Sequence, residues 1–312
     1  MTLTADTSAL YKIRQYLPQN VSSCLSRLDK GTLDRITEIR LRKNSLTTVT
    51  LEGQNYILCL TGLSSKTKNG IFVTENDIED FIYKFCKGSI YSHENTLKDF
   101  FVTNSGIRVG LSGQAIYKGG SLQGIGKVTG VNIRLPRHIK NVSEEILAYI
   151  EKNGFKDGKG FLLLSKPGVG KTTFLRDLAA NLSHGSNTRI YRVCVIDERC
   201  EIYMDSIFTK CCCDFLSGID KIKGLEIASR VLSPEIIICD EISGPDEAEK
   251  IIRHKNGGIV FIASVHSDSF EDALGRDYIK NMFTKGVFSH LCLLERNKEG
   301  VSVSIKAFED DN

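Results

Sequence analysis

Apolar residues recur along the chain with two periods, and the change of period divides it. Near the start, Leu10, Ile13 and Leu17 are spaced for one helical face, and residues 21–28 continue an amphipathic helical opening. Glu38-Ile39-Arg40-Leu41-Arg42 then alternates polar and apolar, as a half-buried strand does. Residues 47–51 and 55–60 predict two more strands around Glu52-Gly53. Thr74-Glu75-Asn76-Asp77 has the form of a capping box, and Ile78, Phe81, Ile82 and Phe85 form the apolar stripe of the helix it opens, with Gly88 as its stop. Residues 100–103, 107–112 and 131–135 predict further strands, joined by glycine-rich turns. This mixture predicts a smaller α+β domain over residues 1–136, with no catalytic constellation of its own.

Pro136 and the polar stretch to Ser143 read as a connector, after which the pattern changes. Near-continuous apolar runs at residues 160–164, 191–196, 235–239 and 258–265 alternate with helical segments. Strands apolar on both sides need cover on both faces, which predicts an α/β domain over residues 137–312 with a parallel sheet between helices. Residues 288–294 and 301–307 read as a closing hairpin around residues 297–300.

The chemistry concentrates in this second domain. Ser165-Lys166-Pro167-Gly168-Val169-Gly170-Lys171-Thr172-Thr173 follows a predicted strand and opens a helix over residues 172–182 that stops at Gly185. That is the context of a phosphate loop. Glycines let successive backbone N–H groups turn inward onto phosphate oxygens, and the helix N-terminus adds the positive end of its dipole. Lys171 would reach the β- and γ-phosphates of ATP, and the Thr172 hydroxyl would hold Mg²⁺. Ser165 stands where the usual motif has its first glycine, a change that backbone geometry accommodates if its φ stays negative.

Glu235-Ile236-Ile237-Ile238-Cys239-Asp240-Glu241 is a Walker B pattern, four apolar residues running into an acidic pair, expected after one intervening strand. Asp240 would complete the Mg²⁺ shell, and Glu241 would polarise the attacking water. Binding alone does not need a second carboxylate, whereas hydrolysis does. Asp197-Glu198-Arg199 and Ser264-Val265-His266 close two other predicted strands, at the ends where open α/β sheets bind ligands. Glu198, His266 and Arg199 are therefore further candidates for the site. Arg40, Arg42, Arg108, Arg134 and Arg230 are candidates for a charge-stabilising arginine supplied by a neighbour. His93, His138, His184, His254 and His290 have no partner pattern and read as structural or exposed.

Composition narrows the picture without redirecting it. The chain has 312 residues, 41% of them hydrophobic and 25% charged, as expected of a globular protein of two domains. A net charge of +3 spread along the chain leaves no footprint for direct nucleic-acid binding. No apolar run approaches the ~18 residues of a membrane span, and the first six residues lack the form of a signal peptide, so a cytoplasmic location is expected. The ten cysteines, including the run Cys211-Cys212-Cys213, lack zinc-site spacing. Reduced thiols with neither metal nor disulfide are the expectation.

The ordered set of motifs resembles a known family. Residues 37–42, Gly106-Ile107-Arg108-Val109-Gly110, Asn132-Ile133-Arg134, residues 171–177, residues 196–202, Ser233-Pro234-Glu235 and residues 239–242 together look like the stage III sporulation protein AA family of endospore-forming Firmicutes. That family is related to the secretion ATPases of type II and type IV systems and to pilus motors. The resemblance implies a RecA-like P-loop ATPase core, a homo-hexamer, and a post on the mother-cell side of a channel between mother cell and forespore. It also implies peripheral docking on membrane proteins of that channel, and it puts Asp197-Glu198 in an acidic box and His266 in a histidine box. Ser165, Ser243 before Gly244, and a short, irregular 204–214 segment depart from the family pattern and bear on turnover more than on binding. Two other readings stand beside the motor: a nucleotide-gated assembly protein with little turnover, and a RecA-like DNA-processing ATPase.

Overall fold

The computed structural model describes residues 7–51, 53–86, 101–104, 107–135, 139–155, 158–185, 189–255, 258–297 and 300–309. His93, His138, Gly88 and Pro136 lie outside the described residues. Two compact units divide the chain, Thr4–Arg137 and His138–Asn312.

The first unit opens with short helices Thr7–Arg14, Gln19–Leu25 and Lys30–Arg35, the last capped by Asp29, which accepts the Thr32 N–H at 2.9 Å. Strands β1 (Ile36–Arg42), β2 (Ser45–Leu46), β3 (Thr48–Leu51), β4 (Gln54–Cys59), β5 (Gly62–Ser64) and β6 (Phe72–Val73) follow. Helix Glu75–Phe85 comes next, then β7 (Phe101–Asn104), β8 (Ile107–Lys118) and β9 (Ser121–Arg134). Seven of the strands make one antiparallel sheet in the order β5-β4-β3-β1-β9-β8-β7. The capping box is complete: Thr74 Oγ1 accepts the Asp77 N–H at 3.2 Å while Asp77 Oδ2 accepts the Thr74 N–H at 2.8 Å. The stripe it launches, Ile78, Phe81, Ile82 and Phe85, is buried with Ile13, Leu25, Ile39 and Ile133 in one core.

Here the short strands expected at 107–112 and 131–135 prove to be the base of a long ribbon. Pairing continues out to Lys118 opposite Ser121 across the turn Gly119-Gly120. Glycines and polar residues between 113 and 130 read as turns because little of that segment is buried, yet its backbone keeps the ladder.

The second unit is built on β10 (Gly160–Ser165), β11 (Val193–Asp197), β12 (Cys213–Ser217), β13 (Ile236–Glu241), β14 (Val260–His266), β15 (Phe288–Asn297) and β16 (Gly300–Ala307). Their order is β12-β11-β13-β14-β10-β15-β16, parallel throughout except for the final hairpin. Along β10, Phe161 and Leu163 enter one core with helices Glu144–Asn153 and Lys171–His184. Leu162 and Leu164 enter the other, with helices Lys221–Ile227, Pro245–His254 and Asp277–Thr284. Two-sided burial is what the unbroken apolar run required.

Two strands, β11 and β12, lie between the phosphate loop and β13, one more than expected. β12 begins at Cys213, inside the segment read as irregular, and its edge position explains the misreading: it mixes half-buried with exposed residues, none of them fully buried, instead of forming an apolar run. Cys194, Cys239 and Cys292 sit fully buried among apolar neighbours, where desolvation pushes the Cys194 thiol up to about 12. They act as small apolar fillers.

Candidate active site

Three strand ends and one helix start converge at the carboxyl edge of the parallel sheet. β10 ends at Ser165, which is fully buried, keeps a negative φ, and donates through Oγ to the Lys166 carbonyl at 3.0 Å. Its strand pairing opposite His266 is intact. The loop then passes Lys166, Pro167 and Gly168 at the exposed rim, while Val169 packs on the core. Gly168 and Gly170 have φ of +80° and +121°, a region that side chains disfavour, and a Cβ at either would meet nothing within 4 Å. A side chain at either position would therefore be strained by the backbone and not by a neighbour. Among the described residues no side chain caps the helix Lys171–His184 behind the loop, so the N–H groups of its first turn are available to an anion. Thr172 and Thr173 are half-buried in that turn.

Lys171 is 8% exposed, and burial pulls its ammonium below the usual lysine range. Its Nζ lies 2.6 Å from Nδ1 of His266. On the far side of the same ring, Nε2 lies 3.2 Å from Oε2 of Glu241. With the ammonium donating to Nδ1, the ring proton sits on Nε2 and points at the carboxylate. A single imidazole therefore joins the phosphate-loop lysine to the second Walker B acid.

Asp240 and Glu241 reach this position through an irregularity in β13. Ile238 pairs with Ile262 and Glu241 with Ser264, so β13 carries one extra residue over that span. Such a bulge re-aims the residues at its end. Asp240 is 9% exposed, and burial, reinforced by Asp197 nearby, raises its carboxyl above the ordinary range against the opposing pull of Arg199 and Lys171. A buried acid whose charge is opposed is a natural partner for a divalent cation, and with the Thr172 hydroxyl the donor set suits Mg²⁺.

The expected strand-end residues separate into different roles. Asp197 is fully buried and its carboxylate accepts the N–H groups of Glu201 at 2.9 Å, Ile202 at 2.9 Å and Tyr203 at 3.0 Å. Arg176, one helical turn along from the phosphate loop, donates to the carbonyls of Ile202 at 2.8 Å and of Glu201. Together they hold the turn that presents Glu198 and Arg199. Asp177 accepts from the N–H of Ser143 at 3.0 Å and from its hydroxyl at 2.7 Å, tying the phosphate-loop helix to the segment entering this unit.

Glu198 does not join the Lys171–His266–Glu241 chain. Its Oε2 lies 3.9 Å from Nζ of Lys221, a buried lysine that sequence reasoning passed over because a lone lysine opening a helix carries no motif. Arg230 is exposed in the π-helical turn Ala228–Leu232, near Glu226. In the other unit, Arg40 and Arg134 both pair with Glu38, at 2.6 and 3.2 Å, and Arg42 donates to Thr48 Oγ1 at 3.3 Å. His290 is structural, its ring bonded to Tyr149 Oη at 2.6 Å and stacked on Phe161.

A six-stranded parallel array with a glycine loop feeding a helix, and paired acids on a nearby strand, defines the RecA-like P-loop class. Solved structures agree on the fold. The ATPase DotB of Legionella pneumophila superposes with a TM-score of 0.58 at 10% identity, over 97% of this chain and 80% of that one. The pilus retraction motor PilT with bound ADP gives 0.60 at 14% identity, over 91% and 82%. Within that class, residues 10–309 match the family described as Sporulation stage III, protein AA, and the chain belongs to it. Stage III sporulation protein AA of Bacillus subtilis (strain 168) is 28% identical over 314 residues, covering 96% of each chain.

Proposed function

We propose that the protein is a Mg²⁺-dependent ATPase that works as a homo-hexameric motor of a sporulation channel, peripheral to the membrane on the mother-cell side. The observation that carries the reading is the continuous contact from Lys171 through His266 to Glu241. A protein that only bound nucleotide would have no use for the last link.

In this reading the N–H groups of residues 168–172 and the Lys171 ammonium bind the phosphates of ATP, and charge on the γ-phosphoryl is stabilised as it develops. Thr172 and Asp240 would hold Mg²⁺, which would supply further neutralisation of the phosphate charge. Glu241 accepts a proton from the water that attacks the γ-phosphorus, and the bond to the β-bridging oxygen breaks toward ADP. His266, donating from Nε2, keeps the Glu241 carboxylate aimed. Arg199, close enough to act on both Asp240 and Lys171, adds positive potential at the same edge.

Family membership supports the sporulation setting, and the fold shared with DotB and PilT supports the motor. Among the described residues no helix is long and apolar enough to cross a membrane, which is compatible with docking on membrane partners. Sedimentation velocity with and without ATP tests the assembly. A nucleotide-dependent hexamer is expected for wild type, with Lys171→Ala remaining at the lower mass. Equal masses for both proteins in every nucleotide state would reject a nucleotide-driven ring.

A further inference from the structure

Beneath the strand end that carries Glu241 lies a cluster of contacts that the phosphate-loop and Walker motifs do not account for. Lys221, 3% exposed, directs its Nζ to the main-chain carbonyl of Glu241 and to Oε2 of Glu247 at 2.9 Å. Oε2 of Glu198 approaches the same ammonium to 3.9 Å from the next strand. Glu247 in turn accepts from the Ser243 N–H at 3.0 Å and from the Ser243 hydroxyl at 2.6 Å. On the other flank, the Ile242 N–H donates to the Ser264 carbonyl at 2.8 Å.

The geometry points to Lys221 as the positioning residue of Glu241, an assignment that rests on the ATPase reading above. Burying an ammonium is costly unless every proton finds an acceptor. An apolar residue would fill the same space at no such cost. What the ammonium adds is a grip on a peptide group. The carbonyl of Glu241 is held by Lys221, the N–H that follows is held by β14, and Ser243 is held by Glu247. The bulge in β13 would otherwise leave this strand end free to shift, because its ladder is broken between Ile238 and Glu241. Lys221 itself is fixed by its helix. Asp220 caps that helix by accepting the Lys223 N–H at 3.1 Å. Gly224 lets it lie so close to β11 that a Cβ there would come within 2.7 Å of the Ile196 side chain. The ammonium also draws Glu198, so the strand ends carrying Glu198 and Glu241 share one cation.

The test uses the full chain. Lys221→Met leaves Glu247 without its cation and threatens folding, so Lys221→Met/Glu247→Gln, in which a neutral amide still bonds the Ser243 N–H and hydroxyl, is measured beside it. If Lys221 positions Glu241, the double variant keeps its wild-type melting temperature and binds ATP within about threefold of wild type, yet its single-turnover hydrolysis falls about 10²-fold, as a misplacement near 1 Å commonly costs. Adding Glu241→Gln to it then lowers the rate little further, because the carboxylate has already lost its place. Lys221→Arg restores part of the rate. Hydrolysis by the double variant within about threefold of wild type overturns the assignment. So does a loss of rate matched by an equal loss of ATP affinity. Wild-type hydrolysis no faster than that of Lys171→Ala would instead reject the ATPase reading itself.

Discussion

Asp197→Ala separates a structural acid from a catalytic one at the site's edge. The Asp197 carboxylate is fully buried and accepts three backbone N–H groups, from Glu201, Ile202 and Tyr203, each at 3.0 Å or less. Removing it orphans those donors where water has little access. A hydrogen bond to a charged acceptor contributes about 1.5–3 kcal/mol, and because the Glu201 and Tyr203 groups are only part-buried the sum is discounted to about 3–6 kcal/mol. That is a large share of the ~5–15 kcal/mol by which a domain is stable. For a unit of this size the melting temperature should drop by about 2–4 °C for each kcal/mol. The chain has no tryptophan, so unfolding in urea is best followed by far-UV circular dichroism. A fall in transition midpoint with unchanged slope is expected, since the compactness of neither state is altered. If Asp197→Ala kept its midpoint within the equivalent of about 1 kcal/mol while losing hydrolysis, the carboxylate would be acting in chemistry and the account of this turn would be wrong.

Three further outcomes follow from the same geometry. Gly170→Ala puts a side chain at φ +121°, costing on the order of 1–3 kcal/mol in the loop, and a nucleotide-binding titration should show at least about tenfold weaker affinity. Asp240→Asn removes a buried charge that burial and Asp197 both oppose, so the melting temperature without nucleotide should rise while Mg²⁺-dependent hydrolysis disappears. Ser165→Gly should leave ATP affinity within about threefold of wild type, because Ser165 needs no positive φ and its strand pairing with His266 is already formed. A large gain in affinity would mean that serine deforms the loop.

How much of this was legible beforehand depended on whether the signal is local. The phosphate loop and the Asp240-Glu241 pair are contiguous in sequence, so their residue types and the strand–loop–helix context could be read directly. So could the helix opened by Thr74, whose cap lies within four residues. The edge strand at Cys213 was hidden because one side of it meets solvent, leaving no apolar run to find. The ribbon from Ile107 to Arg134 was hidden because its outer half is polar and glycine-rich, and pairing with a partner strand rather than burial keeps it extended. Asp197 ends a strand beside the candidates Glu198 and Arg199, where ligands bind in open sheets, yet its carboxylate is engaged by three N–H groups of its own loop. Lys221 had no signal at all. Its meaning comes from groups 20 and 26 residues away, brought to it by folding.

The central claim is that the chain of contacts from Lys171 through His266 to Glu241 makes the protein a hydrolase and not only a nucleotide binder. The direct measurement is single-turnover release of the γ-phosphate from pre-bound ATP by wild type and by Glu241→Gln, with ATP affinity measured on the same preparations. Under that claim, the two affinities lie within about threefold of each other and release by the variant is at least about 10²-fold slower. Equal rates of release from the two proteins would contradict it.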